Sequence, residues 1–454
     1  MAGFGFIPND PNDSNDPENN RPDFEAMMRQ MQEQMKAQFE QLGINPIGFV
    51  NPFTTLFSQA GTGGENGKEE VLSITAAREA AKKFISAQGL KPIGAKELAV
   101  VDSAFEISEV WLDEALTFPA TNIAPATATR LDWVDQTMTG WHKTIEPLAA
   151  GLSSAISNLL DQAMNAQAGE STEGQPPIEM ITTMLRSFIS TMIATQLGQS
   201  IGTLATSVTG AHDVGLALMD PAHPVVIPEN IENWANELEI PKSEVFIFHA
   251  LREGAVARLF ANSPWLVSYI QSAIVEYGKG IHIDIDAIQR QAQSAFESMQ
   301  ESMQENMGDG SIDPEAMNFA LDNGIFTPEE SPAQKIALAK LETVLALIDG
   351  WTDEVTSLAA GDRLPSIEQL RETLRRRRAS AAPAQQLFSS MLGLQVSPKL
   401  TREASAFWKK IREVKSIAER DQIWSGLLPT AEDLHDPEKF LSSTTIPDDL
   451  SGLL

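Results

Sequence analysis

Apolar residues along this chain recur mostly at helical spacing and seldom at the alternation of a half-buried strand. Phe24, Met27, Met28, Met31, Met35, Phe39 and Leu42 fall on one face of a helix, a Met-rich stripe of a kind that repacks against several partners. Beyond Val71 the segment SITAAREAAKKFISAQG reads as a helix closed by a glycine. Lys96 to Ala115, Leu131 to Gly151, Ile178 to Thr209, Ala333 to Ala360 and Ser366 to Ala379 continue the helical pattern, and further helices run to about Trp424. In Ile178 to Thr209, Ala194, Gly198 and Gly202 recur every four residues, so small side chains line one face and invite a close helix neighbour. The one clear strand signal is PVVIP, Pro224 to Pro228, whose flanking prolines restrict it to a small or edge sheet.

Punctuation divides the chain. Residues 1–22, rich in Asn, Asp and Pro, read as a disordered leader, and 23–70 as the Met-rich helix followed by the linker GTGGENGKEE. Residues 71–288 form a helical body, 289–332 a polar, Met-spotted flexible insertion, 333–428 the C-terminal helical part of the body, and 429–454 a tail. The expected fold is therefore mainly α, a multi-helix body with little or no β-sheet.

Composition narrows the function classes. The 454 residues include no cysteine, which excludes disulfides, thiolate metal sites and cysteine nucleophiles. Thirty-three Lys and Arg against 62 Asp and Glu give a net charge of −29, a field that repels nucleic acid and anionic lipid. The start of the chain has neither the basic nor the apolar region of a signal peptide, so the location expected is cytoplasmic. Met184 to Ala205, the most apolar stretch, is interrupted by Arg186, Gln196 and Gln199, which suits a buried helix and not a membrane span. The single basic cluster, Arg375 to Arg378, reads as a solvated run at a helix end.

The stretch with the most chemistry is FIFHALREGAVARLFANSPWL, residues 246–266. In a His-Glu-x-x-His helix two imidazoles four residues apart grip one zinc, and the Glu polarises the bound water. Here Arg252 and Val256 flank Glu253 at those two places; a protonated guanidinium has no lone pair to offer and valine has no donor atom. No nucleophile elbow, phosphate loop or dinucleotide fingerprint occurs, and His142, His212, His223, His282 and His435 lack ligand spacing.

Taken together, DWVDQTMTGWHKTIEP, TQLGQSIGTLA, LREGAVARLFANSPWL, LETVLALIDGW and LRRRRA, in this order, resemble the actinobacterial zinc-dependent metalloproteases, a zincin-like family also labelled hydrolases. The likeness runs over nearly the whole chain. By that resemblance Glu253 matches the general base, Val256 stands where the family has its histidine, Arg252 takes the first-histidine position, and Asp349 takes the place of a glutamate that could be a downstream ligand. The expectation is a zincin-like protein without zinc site or peptidase activity, needing no cofactor and serving as a binding or scaffold protein. Its unknown protein partner would engage the Met-rich arm, and no nucleic acid or membrane is expected. In the alternative, His249, Glu253 and Asp349 hold a zinc ion and Glu253 remains the base of an active hydrolase. In the zinc-free expectation Arg252 and Arg258 with Glu253 and Asp349 form an internal charge network in place of the metal, and a third possibility makes the Met-rich arm and the insertion a chaperone-like or adaptor surface.

Overall fold

The computed structural model of the chain describes residues 72–167, 178–280, 331–381 and 399–444. The leader, the Met-rich arm with its linker, nearly all of the insertion and the end of the tail lie outside the described residues, as does His282. The described residues belong to one compact unit, Glu70–Leu454, and are mainly helical, as the periodicity predicts.

Helix α1 (Ile74–Ala87) starts at Ser73, whose hydroxyl accepts the Ala76 N–H, and buries Ala77, Ala81 and Ile85 at four-residue spacing. Next come α2 (Ala95–Ala115), strand β1 (Ala126–Thr127), the long α3 (Arg130–Gln167) and α4 (Ile178–Ala205). The small-residue stripe of α4 does what its spacing predicts. Helix α1 crosses it so closely that a Cβ at Gly198 would lie 2.3 Å from the Ala77 carbonyl oxygen, and one at Gly202 would lie 3.0 Å from Phe84.

Strand β2 (Val225–Val226) pairs in parallel with β1, Ala126 opposite Val225 and Thr127 opposite Val226. Together they form the single small sheet seen among the described residues. A short α5 (Pro228–Asn236) leads into α6 (Lys242–Asn262), then α7 (Trp265–Lys279). The second half of the body comprises α8 (Pro332–Ala360), α9 (Ile367–Ala381), α10 (Lys399–Val414), α11 (Ile417–Gln422) and α12 (Pro437–Thr444). Ser331 and Gln334 form a reciprocal capping box that fixes the start of α8, with Pro332 in the first turn.

Helix α6 is the axle. Every residue from Phe248 to Phe260 is buried, so no face of this helix is left for solvent. Helix α2 covers one side, α8 another, and the segment leading to β2 a third. Helix α8 is nearly as enclosed, held by α7 on one flank and α10 on the other, with Trp408 donating its ring N–H to the Leu347 carbonyl at 2.9 Å. Polar residues on such helices must find partners inside the protein, and this sets up the site.

Candidate functional site

Glu253 sits midway along α6 and is 4 % exposed. Segment 206–226, between α4 and α5, wraps over it and aims backbone donors at the carboxylate. Oε1 accepts the N–H of Ala211 at 3.1 Å, the N–H of Val225 at 3.1 Å and the ring Nδ1 of His212 at 2.8 Å. Oε2 accepts the His212 backbone N–H at 3.2 Å. Gly210 makes this approach possible, since a Cβ there would stand 2.4 Å from Oε2. The same wrapping segment is stitched to itself, Ala211 N–H donating to the Val225 carbonyl and Ile227 N–H to that of Thr209, both at 2.9 Å. The His212 ring stacks on Phe260 at 5.7 Å, and its Nε2 is buried without a partner.

Arg252, one residue earlier, points to different surroundings. Its Nη2 donates to Asp349 Oδ1 on α8 at 2.5 Å, and its guanidinium lies 5.9 Å over the Phe248 ring. Arg378 from α9 joins the same Asp349 oxygen and also reaches Asp213 Oδ1 at 3.0 Å. Asp213 in turn accepts the backbone N–H of Thr209 at 3.0 Å. Burial would raise the Asp213 carboxyl, but Arg378 and the Thr209 N–H outweigh it and hold the group at about 2. Burial lowers the Arg252 guanidinium, opposed by Asp349 and reinforced by Arg378.

A second ion-pair unit lies one turn along α8. Arg371 grips Asp353 with two N–H groups at 2.9 and 2.7 Å, while the Ser405 hydroxyl donates at 2.7 Å. Although burial works to raise it, Asp353 is held at about 2 by Arg371. Arg371, Arg375 and Arg378 share the face of α9 turned toward this network, whereas Arg376 points to solvent, 79 % exposed. The basic cluster is therefore only partly a solvated run: Arg378 pairs with Asp349 and Asp213. Spacing within α9 alone could have suggested two faces, but which face turns inward depends on its docking.

His249, 4 % exposed, is wedged edge-on against Trp234 at 4.6 Å, and its Nε2 has no hydrogen-bond partner. Burial holds its imidazole at about 3; Asp213 draws the value up, while Arg252, Arg377 and Arg378 push it down. Val256 is plain core, 6 % exposed. Arg258 does not join Arg252. It turns to α2, where it meets Glu109 at 2.7 Å and Asp113 at 2.6 Å. The four-membered charge network expected from Arg252, Arg258, Glu253 and Asp349 is thus realised only as the pair Arg252 and Asp349, joined by the unforeseen Arg378 and Asp213.

His249, Glu253 and Asp349 consequently engage three different sets of neighbours. Among the described residues no three His, Asp or Glu side chains gather closely enough to hold a metal ion. Besides Arg378 and Asp213, sequence reasoning missed Gly210 and His212, which stand at a break after a buried helix. Only the return of that loop onto α6 reveals their part.

The family model of zincin-like metallopeptidases matches residues 73–441, and the matched span includes every residue just described. The chain belongs to the zincin-like metallopeptidase family. A crystal structure of a proposed hydrolase with a novel fold from Chloroflexus aurantiacus shares the fold of this family member, with a TM-score of 0.54 at 16% identity over 82% of this chain and 98% of that chain. No curated protein matches the sequence. No helix among the described residues of this zincin-like protein is long and apolar enough to cross a membrane.

Proposed function

We propose that this zincin-like protein carries a degenerate motif, has neither a zinc site nor peptidase activity, and works as a binding or scaffold protein. The observation that carries the reading is the state of Glu253. A general base needs a free lone pair directed at water, but this carboxylate is 4 % exposed and engaged by three backbone N–H groups and an imidazole. The other motif positions point the same way. Zinc requires about three protein ligands with lone pairs, whereas position 252 holds a guanidinium, position 256 an isopropyl group, and Asp349 is engaged by two arginines. This donor set does not fit the ion.

In this reading the helical body is a rigid platform, and the Met-rich stripe at Phe24 to Leu42 recruits a protein partner in the cytoplasm. The test is elemental analysis of the full-length protein after dialysis, together with a chelator-sensitive peptidase assay. The expected result is no stoichiometric zinc and no turnover. One zinc per chain, or activity lost on chelation, would return the protein to the active hydrolases with Glu253 as base.

A further inference from the structure

Two neighbouring groups on α6 carry more hydrogen-bonding capacity than the fold uses. Arg252 offers five N–H donors, yet among the described residues its hydrogen bond is the one to Asp349. His249, one turn earlier, presents a buried Nε2 with no partner. Interior polar groups without partners are uncommon in folded proteins and mark places where water, an ion or a ligand belongs. The arginine end of the spot is reachable, since the side chains of Arg252, Asp349 and Arg378 keep 9%, 18% and 18% of their surface, whereas His249 Nε2 is enclosed.

We propose that Arg252 and His249 form a receptor for one carboxylate group, either of a small organic acid or of a peptide C-terminus. The proposal rests on the reading of this helix as free of zinc. A guanidinium presents parallel N–H donors that suit a planar carboxylate. Asp349 shows the mode of capture within the protein, since Arg252 and Arg378 converge on its Oδ1. The charge balance selects the ligand class. Asp349 and Asp213 already stand beside Arg378, so a doubly charged phosphate would meet two carboxylates, whereas a single negative charge meets less repulsion. His249 is held neutral at this place and supplies a hydrogen bond without adding charge.

The experiment is calorimetric titration of the full-length, chelator-dialysed protein with acetate, with a tripeptide bearing a free C-terminal carboxylate, and with the same tripeptide as its C-terminal amide. Saturable binding of a free acid but not of the amide is expected. Both acids binding points to a small-acid site, and the tripeptide alone to a chain terminus. Arg252→Lys, which keeps the charge and loses the planar fork, should weaken binding at least tenfold. Asp349→Asn, which removes the internal competitor, should strengthen it severalfold, a direction that partial unfolding cannot imitate. Equal binding of the amide, preference for inorganic phosphate, indifference to Arg252→Lys, or no binding of either acid would overturn the proposal. Zinc found before chelation refutes the zinc-free reading alone; a zinc-free chain indifferent to carboxylates refutes this proposal alone.

Discussion

Glu253 and Arg252 are adjacent in sequence and comparably buried, yet they are neutralised by opposite means. The glutamate is held by backbone N–H dipoles and one imidazole. The arginine is held by a carboxylate that it shares with a second arginine. A helix turns about 100° per residue, so neighbours on a fully enclosed helix face different walls. The wall before Glu253 is a loop that gathers several donors on that one acceptor, whereas the wall before Arg252 is a network whose members have alternative partners. The first arrangement should fail when one atom is lost, and the second should degrade by degrees.

The largest expected effect is therefore at Glu253. Glu253→Ala leaves the N–H groups of His212 and Val225 and the His212 ring without their acceptor, while the Ala211 N–H keeps the Val225 carbonyl. At about 1–3 kcal/mol for each buried group left unmatched, chemical denaturation should show a loss of roughly 4 kcal/mol or more, or no soluble protein. Glu253→Gln sharpens the point, because it places an amide N–H₂ among donors. A loss of about 2 kcal/mol is expected. A catalytic base replaced by its amide would leave stability unchanged, so an unaltered melting temperature would contradict the anchoring role.

Arg252→Gln comes next. Asp349 keeps Arg378, so the loss should be about 1–2 kcal/mol. A loss as large as that of Glu253→Ala would mean that the network has no redundancy.

Acid should reveal the surroundings of Arg252 in two stages. His249 has a folded value of about 3, below its ordinary 6.5, so it stays neutral in the fold while the unfolded chain takes up the proton. Its contribution is fully present above about pH 6.5 and is lost as the pH falls toward 3. Asp213 and Asp353, both near 2 in the fold against 3.8 ordinarily, add a loss that begins only near pH 4. Melting temperature followed from pH 7 to 5 should fall in the natural chain and fall less in His249→Gln; identical slopes would exclude His249 as the source.

The smallest expected change is a null one in metal content. Val256→His places an imidazole four residues after Arg252, yet Glu253 and Asp349 remain engaged elsewhere. Elemental analysis should still find no stoichiometric zinc, and one zinc per chain in this variant would show that position 256 alone closed the site.

Much of the fold was legible in the sequence because amphipathic spacing reports directly on which face a helix buries. The Gly198 and Gly202 stripe predicted a close crossing, and α1 provides it. PVVIP predicted a small sheet, and β2 is two residues long. Helix ends were less exact where no breaker marks them: α3 continues to Gln167, well past Gly151, because Gly151 lies within the helix at its crossing with Gly278. The site was legible only as a helix that carries Arg252, Glu253 and Val256 together, since nothing local linked Glu253 to His212, 41 residues away, or Asp349 to Arg378.

Residue identities alone determined that the body is helical, that no thiol chemistry is available and that two motif positions lack lone pairs, since these are properties of single side chains or of spacing along one helix. The partners of the remaining charges were decided by tertiary structure. A buried carboxylate accepts from whatever donors the surrounding segments bring within about 3 Å, and that depends on how loop 206–226 and helix α9 dock on α6 and α8.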